Sequence, residues 1–310
     1  MTTSKRGLKP RDFLPGYNFF EYLLLRIAVA LVNILPMHVS HWIAKKVGDL
    51  LFLILPKRRK VALSNLDIAF RNSKSRAQKE AIAKESFRNL ATSLVEFFSI
   101  PKFLKKSEHH FRFEGTEYLD RAFLRGRGIV LVTSHLGSWE YLAFLPYLKK
   151  YLFSVVGRPV KNPSLYKWIE SLRRRTTLNH IDKNKAVRPI FSELRKNRVV
   201  GILIDQWAGS EGLWLDFFGE ATSTTSIPVR LAKKTGCALI PAYCLRLGSG
   251  NYEIQIKPEI AIQGNEDNWE EKTTQKLNDL LGEQILKYPE QWIWTHKRWK
   301  GLKHYQGLKE

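Results

Sequence analysis

The sequence predicts an α/β protein with a mixed, largely parallel sheet and helices on both of its faces. Short apolar runs rich in β-branched residues alternate with segments of helical periodicity, the order expected of strands joined by crossover helices. The last two predicted strands flank the turn at residues 248–251, Gly-Ser-Gly-Asn, so one antiparallel hairpin is expected. Hydrophobic residues make up 44% of the 310 positions, which is enough for a substantial core.

The first predicted helix covers residues 19–36, an almost wholly apolar segment. As a helix it would be about 27 Å long, close to the thickness of the hydrocarbon core of a bilayer. Tyr22, Arg26 and Asn33 fall on one face and give this helix a narrow polar stripe. The helix is therefore expected to lie in a membrane interface, or to span the bilayer while packing the stripe against protein. No small-residue cleavage site follows, which argues against a signal peptide.

Basic residues flank this segment on both sides. Residues 1–60 contain 11 lysines and arginines against three acidic residues, and residues 57–60 read Lys-Arg-Arg-Lys. Basic flanks around an apolar helix favour attachment to the cytoplasmic leaflet of a membrane. We therefore predict a membrane anchor with basic flanks over residues 1–60 and a folded domain over residues 61–310. The alternative is a core helix whose basic neighbours are solvated.

The later elements are predicted from periodicity and from turn residues. Helical periodicity indicates helices over residues 57–70, 75–98, 138–150, 163–176, 186–197, 228–235 and 268–286. Ser75 and Gln78 form a capping box at the start of the second of these. Short apolar runs indicate strands over residues 128–133, 153–156, 199–204, 237–245 and 252–257. In such a sheet, sites lie where strands end and loops begin.

Composition narrows the classes of partner. The formal net charge of +22 indicates anionic partners, which include nucleic acid, anionic lipid, acidic proteins and phosphates. Two cysteines, Cys237 and Cys244, exclude a disulfide scaffold, and no cysteine or histidine cluster has zinc-site spacing. We therefore expect no metal.

The segment Ser134–Glu140 carries the clearest chemical pattern, because it follows the predicted strand 128–133 and opens a predicted helix. A carboxylate within hydrogen-bond reach of an imidazole fixes its tautomer and stabilises its charged form. The spacing of His135 and Glu140 thus suggests a general base and its orienting acid, with Gly137 permitting the sharp turn between them. The plainer interpretation is a capping Ser138 and an ordinary loop histidine. No Gly-x-Ser-x-Gly context indicates a covalent nucleophile.

This motif, TSHLGSWE, resembles the H-x4-D/E block of the lipid A late acyltransferases, the lauroyl and myristoyl transferases within the glycerolipid acyltransferase superfamily. Further blocks follow in the family's order and spacing. The second is Gly157-Arg158-Pro159 with Asn162-Pro163; the third is Asp205-Gln206, then Phe217-Phe218-Gly219, Thr222, Thr225 and Pro228; the last is residues 288–299, YPEQWIWTHKRW. The resemblance runs from about residue 17 to residue 300, and the main positions show no departure from the pattern.

The resemblance implies a glycerolipid-acyltransferase-like fold and transfer of a fatty acyl chain from acyl carrier protein, or from acyl-CoA, to a hydroxyl of a phosphorylated lipid A precursor. His135 would be the base and Glu140 its orienting acid. Arg158 and backbone amides near Gly137 are candidate oxyanion donors, and Asp205 and Gln206 are further candidates for binding the substrate or the oxyanion. No cofactor is needed, because a thioester is already activated. The expected location is the inner membrane, with the catalytic domain on its cytoplasmic face.

Other interpretations stay open at this point. The same fold is compatible with another acceptor, such as a phosphatidylinositol mannoside, or with thioester hydrolysis. No helix-turn-helix, RRM or KH signature supports nucleic-acid binding. Residues 158–198 hold twelve lysines and arginines against three acidic residues, which suits an acidic carrier protein or a phosphorylated acceptor as well as a solvated face. The aromatic residues at 207–218 are candidates for an acyl pocket or for plain core, and those at 292–299 for a membrane interface or for packing.

Overall fold

The computed structural model describes residues 17–103, 110–143, 151–158, 160–174, 178–248, 250–262 and 267–300. Its N-terminal part consists of four consecutive helices: α1 (Tyr17–Ile34), α2 (Met37–Ile54), α3 (Pro56–Phe70) and α4 (Arg76–Phe103). Pro36 and Pro56 mark the boundaries of α2, because proline disfavours helical conformation in the residue before it. The helix α2 was not predicted from the sequence. The predicted domain boundary at residue 60 falls within α3 and stays a prediction.

The polar stripe of α1 packs against protein. Asn33 Nδ2 donates to the Phe98 carbonyl of α4 at 3.2 Å, and Arg26 lies 5.1 Å from the ring centroid of Trp168. The remaining surfaces of α1 and α2 leave large apolar side chains exposed. These are Phe19, Phe20, Leu23, Leu24, Ile27, Leu31 and Ile34 on α1, and Trp42, Val47, Leu50, Leu53 and Ile54 on α2.

A membrane-spanning helix is not supported. In the described ranges, no helix combines the length and the apolar character needed to cross a bilayer. The N-terminal membrane helix expected from the sequence therefore lacks support as a spanning element.

The strands, in chain order, are β1 (Phe111–Glu114), β2 (Ile129–Thr133), β3 (Phe153–Gly157), β4 (Leu178–Asp182), β5 (Val199–Leu203), β6 (Leu213–Phe217), β7 (Glu220–Thr224), β8 (Ala238–Gly248) and β9 (Asn251–Ile256). All except β6 and β7 form one sheet, in the order β1-β9-β8-β2-β5-β3-β4. Its neighbours pair in parallel except β8 and β9, which are antiparallel. The predicted largely parallel sheet with one antiparallel hairpin is confirmed.

Two of the strands missed from the sequence are polar edge strands. β1 and β4 lie at the two edges of the sheet and read Phe-Arg-Phe-Glu and Leu-Asn-His-Ile-Asp. Edge strands commonly carry charged and polar side chains, which hide them from a search for apolar runs. The hairpin of β6 and β7 was missed as well. It stands apart from the main sheet, and Gly219 takes a positive φ of 78° in its turn.

Helices cover both faces of the sheet, as predicted. In addition to α1–α4 they are α5 (Thr116–Leu124), α6 (Pro163–Arg174), α7 (Val187–Arg195), α8 (Ile227–Thr235) and α9 (Trp269–Lys287). Buried side chains of β2 contribute to two separate apolar cores: Val130 and Val132 to one, Ile129 and Leu131 to the other. A helix was predicted over residues 138–150. Its described part forms a 3₁₀ helix, Trp139–Ala143, and residues 144–150 lie outside the described residues.

Residues 289–299, near the C-terminal end of the described chain, pack deep inside the domain. Trp292, Trp294, Arg298 and Trp299 are among the most completely buried large side chains of the molecule. Asn65 Nδ2 of α3 donates to the Trp294 carbonyl at 2.6 Å. Of the two interpretations of these tryptophans, packing is therefore correct and a membrane interface is not.

Candidate active site

His135 and Asp205 meet because two neighbouring parallel strands end together. β2 pairs with β5 so that Thr133 lies opposite Leu203. The Ile204 amide extends this pairing by donating to the Thr133 carbonyl at 3.1 Å. The carboxyl ends of parallel strands meet at one edge of a sheet, where open α/β proteins bind their ligands. The next residues, His135 and Asp205, therefore leave the sheet side by side.

Asp205 holds the imidazole of His135 through a set of directed hydrogen bonds. Its Oδ1 lies 2.9 Å from Nδ1 of His135, and its Oδ2 accepts the His135 backbone amide, also at 2.9 Å. Oδ2 accepts a further bond from the Trp292 indole at 2.9 Å. Because an ionised carboxylate only accepts hydrogen bonds, the proton of the neutral ring lies on Nδ1 and Nε2 keeps its lone pair.

The two groups shift each other's protonation. Burial alone would raise the pKa of Asp205, but the charge of His135 and the hydrogen bonds from His135 and Trp292 hold it well below its usual range. Burial likewise disfavours a charged His135, yet Asp205, and more weakly Glu140, raise the pKa of its ring above the ordinary value. The arrangement thus favours an aspartate anion beside a histidine of increased basicity.

The expected contact between Glu140 and His135 is wrong. Nδ1 of His135 is bonded to Asp205. Glu140, in the 3₁₀ helix, instead faces Arg173 of α6: its Oε1 lies 3.8 Å from Nη2 of Arg173. The turn at Gly137 and the 3₁₀ geometry carry Glu140 away from the ring. It remains close enough to act on His135 through its charge.

The expected roles of Gly137 and Asp205 need correction as well. The Gly137 amide donates to the Gln291 carbonyl at 2.9 Å, and the next amide, of Ser138, donates to Cys244 at 2.8 Å. These amides are therefore engaged and do not point to a substrate. The glycine itself is required, because φ is 64° and a Cβ would lie 2.2 Å from the Cys244 carbonyl oxygen. Asp205, predicted to contact substrate, is buried and serves His135.

Gln206 lies beside the free nitrogen of His135. Its Nε2 is 3.5 Å from Nε2 of His135, and its side chain is exposed. Buried Arg298 supports this position by donating to the Gln206 carbonyl at 3.3 Å and to the Ser223 carbonyl at 2.6 Å. Gln206 is thus a predicted site residue that lies within hydrogen-bond range of Nε2 of His135.

A pocket of about 190 Å³ is lined by Trp139, the neighbour of His135 in the site. Its wall is mostly apolar, from α4, α6 and the 3₁₀ helix, and it includes Phe97, Phe98, Trp139, Tyr166 and Ile169. Glu140, Arg158 and Arg173 are its charged lining residues. His135 is not in the lining, but its ring centroid is 5.2 Å from that of Trp139. Trp139 is therefore the residue that connects the pocket to the histidine, and Arg158 lines the same pocket.

The aromatic residues proposed from the sequence as a pocket are elsewhere. Phe217 is buried and stacks on Trp299 with centroids 5.6 Å apart, so it belongs to the core. The residues that do line the pocket, on α4 and α6, carried no sequence signal beyond helical periodicity.

The chain is similar to known proteins over much of its length. The model of the family described as bacterial lipid A biosynthesis acyltransferase matches residues 11–301. The lipid A biosynthesis palmitoleoyltransferase of Escherichia coli (strain K12) is 27% identical over 274 residues, which cover 86% of each chain. The phosphatidylinositol mannoside acyltransferase of Mycobacterium tuberculosis (strain H37Rv) is 29% identical over 189 residues, 60% of this chain and 58% of that protein.

Among solved structures, the chain matches the 1-acyl-sn-glycerophosphate (LPA) acyltransferase PlsC from Thermotoga maritima. The TM-score is 0.38 at 15% sequence identity, and the match covers 78% of this chain and 98% of that chain.

Proposed function

Because the chain belongs to the bacterial lipid A biosynthesis acyltransferase family, we propose that it transfers a fatty acyl chain from an acyl-carrier thioester to a hydroxyl of a lipid A precursor. The observation that carries the mechanism is the Asp205–His135 pair, which leaves the lone pair on Nε2 of His135, where the exposed side chain of Gln206 lies 3.5 Å away. The donor is acyl-acyl carrier protein or acyl-CoA, and neither a metal nor a further cofactor takes part.

In the proposed reaction, His135 Nε2 removes the proton of the acceptor hydroxyl while the oxygen attacks the thioester carbonyl. Asp205 stabilises the imidazolium that forms and keeps the ring in its orientation. The tetrahedral oxyanion requires hydrogen-bond donors. Since the Gly137 amide is engaged, the exposed Gln206 amide group and the Arg158 guanidinium supply them. The intermediate then collapses, the thiolate leaves, and the imidazolium returns a proton to it.

The substrates are proposed to divide the site by polarity. The aromatic wall of the pocket suits the acyl chain, because burial of each methylene stabilises binding by about 0.8 kcal/mol. Arg158 and Arg173 give the pocket a cationic side that suits anionic phosphate groups. The basic residues of 158–198 are proposed to receive the acidic carrier protein.

A second acceptor class has its own support. The mycobacterial relatives are phosphatidylinositol mannoside acyltransferases and match this chain at 29% identity, although over a shorter length than the E. coli relatives. A phosphorylated glycolipid of that class places the same demands on the proposed base. The wider coverage of the lipid A enzymes makes a lipid A precursor our first choice.

The function is tested by mass spectrometry of the lipid product. Purified enzyme is incubated with acyl-carrier proteins of several chain lengths and a phosphorylated lipid A precursor, with a phosphatidylinositol mannoside in parallel. A mass gain of one acyl group on the precursor is expected. A gain on the mannoside alone would assign the second acceptor class, and free fatty acid with neither product would assign thioester hydrolysis.

Replacement Glu140→Gln is expected to shift the acid limb of the pH–rate profile to lower pH. Glu140 helps to raise the pKa of His135, and a less basic ring loses its proton at lower pH. Transfer at neutral pH should fall by about tenfold, a barrier increase of about 1.4 kcal/mol. The measurement is initial rate against pH.

Glu170→Gln is the matched control for this change. Glu170 Oε1 lies 3.4 Å from Arg173 Nη1, so the control removes the other carboxylate beside the same arginine. Its pH–rate profile should follow the wild type. A loss from Glu140→Gln larger than that from Asp205→Asn would contradict our assignment of the orienting acid.

The enzyme is proposed to bind the cytoplasmic face of the inner membrane through α1 and α2. Their exposed apolar side chains are accompanied by Lys45 and Lys46 on α2 and by the basic run at residues 57–60. Apolar side chains next to cations are typical of helices that lie in the interface of an anionic bilayer.

The double replacement Leu24→Glu with Leu53→Glu is expected to weaken binding to vesicles of phosphatidylethanolamine and phosphatidylglycerol by at least about tenfold. Each change removes an apolar side chain worth about 1.5–3 kcal/mol when buried. Co-sedimentation with the vesicles measures the bound fraction. Leu124→Glu is the control, because Leu124 of α5 is 85% exposed and lies outside the two helices. Equal loss in the control would contradict the assignment of the membrane surface.

A further inference from the structure

A buried ion pair lies beneath the turn that carries His135. Arg246 of β8 donates from Nε to Glu96 Oε1 at 2.8 Å and from Nη2 to Glu96 Oε2 at 2.6 Å. Glu96 belongs to α4, and only 2% of its side chain is exposed. Burial favours the neutral acid, but Arg246 lowers the pKa of Glu96, so the carboxylate stays charged.

Ser138 connects this ion pair to the turn. Its hydroxyl donates to Glu96 Oε2 at 2.7 Å and accepts from Arg246 Nη2 at 2.9 Å. The ion pair is also linked to Gly137 through Ser93. Arg246 Nη2 donates to Ser93 Oγ at 3.1 Å, and Ser93 Oγ donates to the Gly137 carbonyl at 3.0 Å. Both residues of the turn are therefore held by the same charged pair.

The segment on the other side of the turn is held by the same arginine. The Arg246 amide donates to Gln291 Oε1 at 2.9 Å, and Gln291 Nε2 donates back to the Arg246 carbonyl at 3.0 Å. The Gln291 carbonyl in turn accepts the Gly137 amide at 2.9 Å. A displacement of Arg246 is thus transmitted to the turn from two sides.

We infer that Ser138, Glu96 and Arg246 are positioning residues, which fix the turn and through it the direction of His135 Nε2 toward the acceptor. The inference rests on the proposed role of His135 as the base. A buried ion pair contributes little net stability compared with an apolar filling, because the cost of removing both charges from water offsets their attraction. Here both members bind the turn, so their main effect is on its geometry.

Tyr252 provides a matched comparison for Ser138. Its hydroxyl, from β9, donates to Glu96 Oε1 at 2.7 Å, and β9 is not part of the turn. Ser138→Ala and Tyr252→Phe each delete one hydroxyl that donates to the same buried carboxylate. Both variants keep Glu96 paired with Arg246. A purely structural role predicts equal effects, whereas a positioning role predicts an effect on catalysis from Ser138 alone.

The test combines acyl-transfer kinetics with NMR titration of the full-length chain carrying ¹³C-labelled histidine. The His135 signal is assigned as the one that is absent from the spectrum of His135→Ala. We expect Ser138→Ala to lower kcat by about tenfold to 10²-fold with KM nearly unchanged, and to move the His135 signal. Tyr252→Phe should keep the wild-type kcat and signal. Thermal unfolding confirms that both variants are folded.

Equal kcat in the two variants, or a His135 signal that Ser138→Ala leaves in place, would overturn the inference. If the wild type transfers no acyl chain, the proposed function fails separately. The NMR comparison then decides the positioning role by itself: a displaced signal in Ser138→Ala only supports it, and unchanged signals refute it.

Discussion

Replacement of His135 by alanine is expected to lower the rate of acyl transfer by about 10²–10⁴-fold, the usual contribution of a general base. A hydroxyl is a poor nucleophile until its proton is removed, and Nε2 of His135 is the nitrogen that the hydrogen bond from Nδ1 to Asp205 leaves free. The loss should appear in kcat, measured by the mass gain of the acceptor lipid at saturating donor.

Two further variants control for this result. His135→Gln keeps a polar side chain near Asp205 without a basic nitrogen, and it should lose as much activity as the alanine variant. His38→Ala removes an exposed histidine of α2 and should leave the rate unchanged. Activity of His135→Ala within about tenfold of the wild type would refute general-base catalysis by this residue.

Asp205→Asn is expected to have an effect of similar size, about 10²–10⁴-fold on kcat, although the side chain keeps its shape. An asparagine that directs its NH₂ group at Nδ1 would force the ring proton onto Nε2 and remove the lone pair that acts as the base. The remaining activity should have its acid limb at lower pH, because Asp205 raises the pKa of His135. Rates across the pH range measure both effects.

The same variant should change the pH dependence of stability. The folded-state pKa of Asp205 is depressed, so its contribution to the free energy of unfolding is complete above the unfolded value of about 3.9 and is lost as the pH falls further. Asp205→Asn should lack this part of the acid dependence. Asp182→Asn is the control, since Asp182 ends β4 at the edge of the sheet, beyond β3. Loss of activity from Asp182→Asn equal to that from Asp205→Asn would contradict the specific pairing.

The sequence was sufficient for the centre of the fold and insufficient for its edges. β2 and β5 are buried along almost their whole length, so their apolar runs identify them directly. β1 and β4 have a sheet neighbour on one side only and carry charged or polar side chains, which made them look like loops. The helix α2 was missed because its lysines were interpreted as the flank of an anchor.

In the site, too, the residues that could be predicted are those whose partners are close in the sequence. His135 was found because its motif lies within seven residues, 134–140, whereas its partner Asp205 is 70 positions away and depends on β2 and β5 being neighbours. Glu140 was chosen because it was close in the chain. The turn at Gly137 and the 3₁₀ helix, which spacing alone does not reveal, direct its side chain to Arg173.

The burial of residues 289–299 within the domain has a consequence for the order in which contacts form during folding. Asn89 Nδ2 donates a hydrogen bond to the Gln291 carbonyl, 202 positions further along the chain. The Trp292 indole donates to Asp205, which lies 87 positions before it. Contacts between such distant segments close slowly, because the loop between them must first lose its freedom. We therefore expect His135 and Asp205, 70 positions apart, to come together before the Gly137 amide reaches the Gln291 carbonyl, 154 positions further along the chain. We therefore expect activity to appear only after residues 289–299 have packed against the domain.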